Sequence, residues 1–229
     1  HYDTISIDRT QEGQDVAPGA DDNASGVAAL LELARLLRNA ELEVTVEFVF
    51  FGAEELGLIG SEHYASQARI KGDEILAMLQ LDAIGTRSTQ FSDVFSIDTT
   101  HLYRKLGEVV AQAAAEYTTV RASDGAGGHV SISSTGCGCS DHQSFLNRGY
   151  PALGIFQYDG NPATHLNTSA DTLEQVDLSL VTEIGKAVLA SVAQMGNFPA
   201  RSADFEGDGQ VSLADFTLFV QAYGMAENV

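Results

Sequence analysis

Basic residues are scarce in this sequence of 229 residues. Lys and Arg together number 12, against 32 Asp and Glu, which gives a formal net charge of −20. This excess of negative charge argues against nucleic acid and against anionic membrane surfaces as partners, because both would repel the chain. We interpret most of the carboxylates as a solvated surface and look for function only in those that form patterned clusters.

Long apolar runs are also lacking. No stretch of ~18 apolar residues occurs, so we expect no membrane span. Hydrophobic residues still make up 44% of the chain, which is enough for a sizeable core. No signal peptide is visible, but the chain begins at His1 rather than Met, and His1-Tyr2-Asp3 already resembles part of an active site. We therefore expect a domain that is truncated at its N-terminus.

Cysteine is limited to Cys137 and Cys139. The surrounding glycines make this segment flexible enough to close a small disulfide ring, although two reduced, buried thiols are the alternative. A single cysteine pair in an otherwise cysteine-free chain favours a disulfide and an oxidising compartment. The expected location is secreted or extracellular, with the periplasm as an alternative.

Helical and strand patterns alternate along the chain. The predicted helices are 27–37, 60–69, 102–117, 141–147 (capped by Ser140) and 178–195, and the predicted strands are 44–51, 75–81, 94–97 and 152–156. Residues 122–140 are rich in Gly and Ser and predict a loop. Alternating helices and apolar strands indicate a three-layer α/β/α domain with a mostly parallel mixed sheet buried on both faces.

The periodic pattern ends at Met195. We divide the chain into a catalytic domain (1–196), a linker (197–203) and a short C-terminal segment (204–229).

Acidic residues recur where the predicted strands end. Glu54 and Glu55 follow strand 44–51 after a short turn, and Asp82 directly follows strand 75–81. Ligands of such sheets gather at the carboxyl ends of the strands. Two adjacent acids beside a buried strand are costly unless they are neutralised or bound to a metal. We therefore interpret these acids as part of a metal site.

A pair of zinc ions accounts for the acids together with two imidazoles. Zinc binds His nitrogen and carboxylate oxygen, and two ions ~3.5–4 Å apart need a bridging carboxylate, as in aminopeptidases. Five ligands, one of them bridging, give each ion three protein contacts. The candidate ligands are His1, Asp22, Glu55, Asp82 and His165. Glu54 then remains as the general base that acts on the attacking water.

Several motifs occur together in a fixed order. They are His1-Tyr2-Asp3, Pro18–Gly26 (PGADDNASG), Gly52–Gly57 (GAEELG), Leu81-Asp82, Cys139–His142 (CSDH), and His165 followed by Asp171-Thr172. The combination resembles the di-zinc aminopeptidases of the bacterial leucyl aminopeptidase type. That family also includes glutamate carboxypeptidases and is related to glutaminyl cyclases. The resemblance covers about residues 1–196 and implies the zinc-dependent exopeptidase fold. Because members of this family are usually longer before the first His, it also implies that the opening strands of the sheet are missing.

The resemblance also implies how the ligands are shared. One zinc would be held by His1, Asp22 and Asp82. The other would be held by Asp22, Glu55 and His165, so that Asp22 is the bridge.

The resemblance implies three further roles. Asp3 would orient the imidazole of the first ligand, and Glu54 would pass the proton of the attacking water to the leaving amine. Some members place a transition-state Tyr before the Ser-Asp-His motif, where this chain has none, and Tyr158 is the candidate substitute. Phe156 is the candidate wall of a pocket for a hydrophobic first side chain.

Residues 204–215 (DFEGDGQVSLAD) resemble a calcium loop. Gly209 stands where such a loop turns sharply. The candidate ligands are Asp204, Glu206, Asp208, Gln210 (through its carbonyl), Ser212 and Asp215. The segment looks like half of a dockerin module. A dockerin implies a cohesin-like partner, but full dockerins carry two such loops, which argues against cohesin binding here. A solvated acidic turn is the alternative.

We expect a secreted zinc aminopeptidase that acts on peptides with a free N-terminus. A carboxypeptidase or a glutaminyl cyclase could use the same metal shell, but a carboxypeptidase should show an Arg cluster, and only Arg87 and Arg148 lie near the motifs. A non-catalytic binding domain and a structural module with a calcium-binding tail are further alternatives. A serine triad with Ser140 and His165 lacks a GxSxG elbow, and we interpret His142 as supporting the site rather than binding metal.

Overall fold

The computed structural model describes residues 1–8, 16–87, 93–123, 131–133, 139–157 and 164–196. The helices in this part are α1 (Ala24–Leu37), α2 (Ile59–Lys71), α3 (Arg104–Tyr117), α4 (His142–Asn147) and α5 (Leu178–Met195), with short 3₁₀ helices at His101–Tyr103 and Leu173–Gln175. The strands are β1 (Met78–Asp82), β2 (Val94–Thr100), β3 (Arg121–Ser123), β4 (Ser131–Ser133) and β5 (Ala152–Gln157). The predicted α/β class is confirmed.

The five strands form one mixed sheet. Its order is β1-β5-β2-β3, and β4 pairs with β2 farther along that strand. β1 runs parallel to β5, and β3 and β4 run parallel to β2, whereas the β2–β5 pair is antiparallel. Three of the four pairings are therefore parallel, in agreement with the predicted mostly parallel sheet.

Apolar side chains cover both faces of the sheet. On one face, α1, α3 and α5 pack against residues such as Phe95, Leu153 and Ile155. On the other, α2 and α4 pack around a smaller cluster that includes Ala152. Successive residues of β5 thus point to opposite layers, as the period of two in a strand requires. The arrangement gives the expected three layers.

The strand predicted at 44–51 is not confirmed, because this segment pairs with none of the described strands. Its burial still alternates: Thr45 and Glu47 are exposed, while Val46 and Phe48 are half-buried. An apolar pattern alone does not make a strand, since a ladder also needs a neighbouring backbone at hydrogen-bonding distance. Here a cleft of about 660 Å³, lined in part by this segment, α1, α5 and residues 73–79, lies beside it. None of the residues lining this cleft is a predicted ligand.

The predicted loop 122–140 was wrong in two places. β3 includes residues 122 and 123, and β4 comprises residues 131–133, and both pair with β2. Pairing with an existing strand overrides the weak strand propensity of a Ser-rich segment.

Among the described helices, α5 has the length and composition of a candidate membrane span. It has 18 residues and a mean hydropathy of 1.2. Core helices of proteins without a membrane span can have the same length and composition, so these features alone do not establish a span. Half of α5, including Leu180, Ile184 and Leu189, is buried within the protein, and we interpret it as a core helix.

Candidate metal centre

One imidazole and four carboxylates converge where β1 ends. The acids are Asp22, just before α1, Glu54 and Glu55, after segment 44–51, and Asp82, the last residue of β1. The imidazole belongs to His1, whose loop is fixed to that segment by a hydrogen bond of 2.9 Å from Tyr2 N to the carbonyl of Phe51. The structure thus brings together four of the five predicted ligands and the predicted base.

The His1 imidazole is at the centre of the cluster. Its Nε2 atom lies 3.2 Å from Asp22 Oδ1 and 3.3 Å from Asp82 Oδ1. Glu54 Oε2 lies 3.9 Å from the same nitrogen. Two groups have ligand atoms that are all within 4.8 Å of one another: His1, Glu54 and Asp82 form one, and His1, Asp22 and Glu55 the other. The predicted base Glu54 therefore stands in a position where it could also bind an ion.

Asn23 ties the start of α1 to the end of β1. Its Oδ1 accepts the main-chain N–H of Gly26 at 3.1 Å, which caps the helix. Its Nδ2 donates to the carbonyl of Leu81 at 2.9 Å, and Oδ1 also accepts the N–H of Ala83 at 3.3 Å. Because these contacts flank Asp82 on both sides, they place Asp22 next to it.

Gly26 allows this close approach, and replacing it by Ala tests the approach. A Cβ atom at Gly26 would lie 2.4 Å from the carbonyl oxygen of Leu81. We expect Gly26→Ala to lower the free energy of unfolding by about 1–3 kcal/mol, as overpacking does, in urea titrations. Gly185→Ala in α5 is the control, since its Cβ would meet open space, and it should gain about 0.5–1 kcal/mol. Equal stability of the two variants would contradict the close approach.

The Asp3 carboxylate positions the two glutamates. Its Oδ1 accepts the N–H of Glu54 at 3.1 Å and its Oδ2 accepts that of Glu55 at 3.2 Å. The predicted contact with His1 is made mainly by the main chain: His1 Nδ1 lies 3.1 Å from the carbonyl oxygen of Asp3 and 3.8 Å from its Oδ1. Asp3 therefore orients the imidazole and the Glu54-Glu55 turn together.

Asp171 performs the same task for Asp22. Its two carboxylate oxygens accept the N–H groups of Asp21 and Asp22, at 2.8 and 2.9 Å. Asp21 is fully buried, and its Oδ1 accepts the N–H of Gly85 at 2.6 Å. Sequence reasoning gave Asp21 and Asp171 no role. The only signal was their presence in the quoted motifs, because their contacts join segments about 150 residues apart.

His165 lies outside both groups of potential ligands. Its Nε2 atom is 2.9 Å from the hydroxyl of Thr86, and that hydroxyl donates to Asp21 Oδ2 at 2.7 Å. Because the Thr86 hydrogen points to Asp21, Nε2 of His165 is the donor, and the lone pair of the ring is on Nδ1. The structure therefore places this predicted ligand on the adjacent Asp21 network.

Burial and repulsion between the acids shift their pKa values. Burial, reinforced by the charges of Asp22 and Glu54, raises the pKa of Glu55 to about 8. Burial also raises the pKa of Glu54, to about 7. For His1, burial alone would lower the pKa, but hydrogen bonds with Asp22 and Asp82 raise it to about 12. The single imidazole thus balances only part of the charge of four carboxylates.

These residues fit divalent metal ions. Glu55 Oε1 is buried and has no hydrogen-bond partner among the described residues, and a buried carboxylate oxygen of this kind is expected to face a cation. Imidazole nitrogen and carboxylate oxygen are donors that zinc accepts. The donor set and the unsatisfied oxygen agree with a metal centre.

Ser140 was expected to cap α4, and this was wrong. The residue before the helix is Asp141, and the hydroxyl of Ser140 instead donates to Asp82 Oδ2 at 2.6 Å. Phe156, the candidate pocket wall, pairs with Asp82 in the sheet register and packs edge-on against the His142 ring, with centroids 5.8 Å apart. It therefore lies beside the acids.

Several predicted residues lie outside the described residues. They are Tyr158, Cys137 of the cysteine pair with Cys139, and the calcium loop Asp204, Glu206, Asp208, Gln210, Ser212 and Asp215. The tyrosine role, the disulfide, the domain division at 196 and the calcium site stay predictions.

The fold and the site together define the class of this protein: an α/β protein with a candidate metal centre, formed by buried acids and an imidazole near the end of β1. The sequence profile of peptidase family M28 matches residues 1–192, and the chain belongs to this family.

Individual relatives agree with this assignment. A probable leucine aminopeptidase of Arthroderma benhamiae is 30% identical over 207 residues, which cover 86% of this chain and 52% of the relative. The crystal structure of the Legionella pneumophila LapA aminopeptidase matches with a TM-score of 0.68 at 26% identity, covering 82% of this chain and 49% of that one. BSAP, a zinc aminopeptidase of Bacillus subtilis, matches with a TM-score of 0.61 at 25% identity, covering 86% and 46%.

The chain thus spans about half the length of these relatives. A glutaminyl cyclase of Porphyromonas gingivalis shares the fold, with a TM-score of 0.58 at 24% identity and coverage of 77% and 63%. The expected relation to glutaminyl cyclases is confirmed at the level of the fold.

Proposed function

We propose that this protein is a metallo-aminopeptidase that binds two zinc ions and hydrolyses the first peptide bond of peptides with a free N-terminus. The observation that carries the proposal is the convergence of His1 with four carboxylates in two overlapping groups of potential ligands. Relatives named as leucine aminopeptidase and zinc aminopeptidase support the activity and the metal.

The ions would be held by His1, Asp22, Glu55, Asp82 and His165, with Asp22 shared. Zinc, when bound, supplies Lewis-acid chemistry that polarises the peptide carbonyl and lowers the pKa of water. For His165 this role requires Nδ1, the ring nitrogen that carries the lone pair, to face the acids.

Glu54 performs the proton transfers in this proposal. Its carboxylate takes a proton from the water that attacks the carbonyl carbon and gives it to the leaving nitrogen when the C–N bond breaks. The position of Glu54 supports this role. Its main-chain N–H is fixed by Asp3, and its Oε2 lies 3.9 Å from Nε2 of the proposed ligand His1.

The negative charge of the cluster suits a substrate with a free α-amine. A free α-amine would be recognised by the metal centre and by the nearby carboxylates Asp22, Glu55 and Asp82, and an N-acylated peptide would lack that amine. Phe156, beside Asp82 in the sheet, would wall a pocket for an apolar first side chain.

The location and the tail belong to the same proposal. We place the protein outside the cell because the sequence of residues 204–215 resembles a calcium loop and because cysteine occurs only as one close pair. A cohesin-like partner for the tail, and the absence of nucleic-acid partners, remain expectations from the sequence.

The decisive experiment measures metal content and activity of the full chain. We expect about two zinc ions per chain by elemental mass spectrometry, and hydrolysis of Leu-p-nitroanilide that stops on chelation and returns with zinc. N-acetyl-Leu-p-nitroanilide should not be cleaved. Absence of bound zinc, or release of residues from the C-terminus of a test peptide instead, would overturn the proposal.

A further inference from the structure

A buried row of side chains lies behind Asp82. Ser140 Oγ donates to Asp82 Oδ2 at 2.6 Å, and Gln80 Nε2 donates to the same oxygen at 3.3 Å and also to Ser140 Oγ. The other carboxylate oxygen, Oδ1, faces His1. Two donors on Oδ2 thus fix the direction in which Oδ1 points.

The amide of Gln80 is in turn held by His142. His142 Nδ1 lies 2.8 Å from Gln80 Oε1, and the main-chain N–H of His142 donates to that oxygen at 3.3 Å. Turning the amide over would set Oε1 against Asp82 Oδ2, two acceptors without a hydrogen between them. The orientation seen is therefore the one that the neighbours require, and Nδ1 of His142 is a donor to Gln80.

The second ring nitrogen of His142 joins the row to β2. Its Nε2 atom lies 2.9 Å from Asp98 Oδ2. A carboxylate oxygen only accepts, so both ring nitrogens face acceptors. The side chain of His142 is completely buried, which means that these contacts form away from water, where each hydrogen bond constrains position strongly.

The sheet register explains how a single ring spans three strands. Gln80 of β1 and Asp98 of β2 both pair with Gly154 of the intervening strand β5. The ring of His142 lies over Gly154, since a Cβ atom there would be 2.8 Å from His142 Cε1. Because Gly154 has no side chain, the ring of His142 fits above it and contacts both Gln80 and Asp98.

We propose that His142 is a positioning residue for the metal centre: held over Gly154 between Asp98 and Gln80, it fixes the Gln80–Ser140 pair that aims Asp82 at the ion. This role rests on the proposed function, because the residue that His142 positions, Asp82, is a ligand of the proposed zinc site. In this role His142 controls the orientation of the Asp82 carboxylate rather than the packing of the core.

Two substitutions of His142 separate these roles. Asn places an amide nitrogen near the position of Nδ1 and can still donate to Gln80, whereas Gln places it near Nε2 and can reach only Asp98. We expect His142→Gln to weaken binding of the zinc ion at Asp82 by about 10–100-fold, the usual cost of losing a partner behind a metal ligand. His142→Asn should lose clearly less, although it removes more volume. His101→Gln, at an exposed histidine, is the matched control.

The measurements are zinc affinity of the full chain by chelator competition, the visible spectrum of the cobalt-substituted protein, and Tm. A changed cobalt spectrum in His142→Gln, with His142→Asn nearer to wild type, supports the positioning role. Wild-type zinc affinity and spectra in both variants, or losses in both that follow Tm rather than the Asn–Gln order, would overturn it. If the wild-type chain itself binds no zinc, the proposed function fails as well, whereas an active two-zinc wild type with unaffected variants removes only the role of His142.

Discussion

Replacing Glu54 by Gln is expected to reduce kcat for Leu-p-nitroanilide by about 10²–10⁴-fold, the usual contribution of a general base, while two zinc ions stay bound. Gln preserves the shape of the side chain and its main-chain contact with Asp3, but cannot accept the proton of the attacking water. KM should change little, because the amide still fills the same space. Steady-state kinetics and elemental analysis on the same preparation measure both quantities.

The structure makes this prediction sharper than a simple loss of activity. Glu54 Oε2 lies within reach of His1 and Asp82, so Glu54 could instead be a ligand. Loss of one zinc ion in Glu54→Gln would show that it binds metal, and normal turnover would remove it from the mechanism altogether. Glu108→Gln is the control, because Glu108 pairs with Arg104 on the exposed face of α3.

Removing zinc is expected to lower Tm, and to lower it more at pH 8 than at pH 5. Without metal, the folded chain retains protons on Glu55 and Glu54, whose pKa values are raised to about 8 and about 7. The unfolded chain releases these protons near pH 4.5. Because the folded state then binds more protons, the stability of the metal-free chain falls as pH rises from about 4.5 to 8.

His1 acts in the same direction. Burial alone would lower the pKa of this imidazole, but its contacts with Asp22 and Asp82 raise the pKa from the ordinary value of 6.5 to about 12. Its contribution is complete below pH 6.5 and declines as pH rises from there towards 12. Zinc at about 1,000 times its Kd adds ~4 kcal/mol, which for a chain of this size corresponds to a rise in Tm of about 8–16 °C.

Circular dichroism melts of chelated and zinc-loaded protein at pH 5 and pH 8 test this prediction. Asp22→Asn, which removes the proposed bridging charge, serves as the comparison and should show a smaller zinc-dependent gain. A chelated protein that becomes more stable between pH 5 and pH 8 would show that the cluster does not retain protons in the folded state.

The layers of the fold and the location of the site could be predicted from the sequence. The helix predicted at 27–37 corresponds to α1, Ala24–Leu37. It forms because its apolar residues recur at helical spacing and Asn23 supplies a cap. Glu54, Glu55 and Asp82 could be identified because they follow apolar runs, although only the run before Asp82 forms a described strand. A local pattern is enough to predict a helix and its ends when the segment itself carries both the apolar periodicity and the cap.

The rest depends on register, which local pattern does not fix. The row of Gln80, Gly154 and Asp98 forms only because β1, β5 and β2 align at those positions. No spacing in the sequence relates these three residues to His142. The same limit explains the misplaced cap at Ser140, whose hydroxyl donates to Asp82, 58 residues earlier in the chain. Segment 44–51 likewise pairs with none of the described strands, because strand pairing needs a neighbouring backbone as well as apolar alternation.

The anchoring of Asp21 and Asp22 by Asp171 has a consequence for how the protein is made. During synthesis the first acids leave the ribosome about 150 residues before the carboxylate that fixes their main chain. At roughly 5–20 residues per second, this delay lasts roughly 7–30 s. Throughout that interval the nascent chain carries an acidic loop without its anchor, so the site acquires its final shape only when translation of the domain is nearly complete.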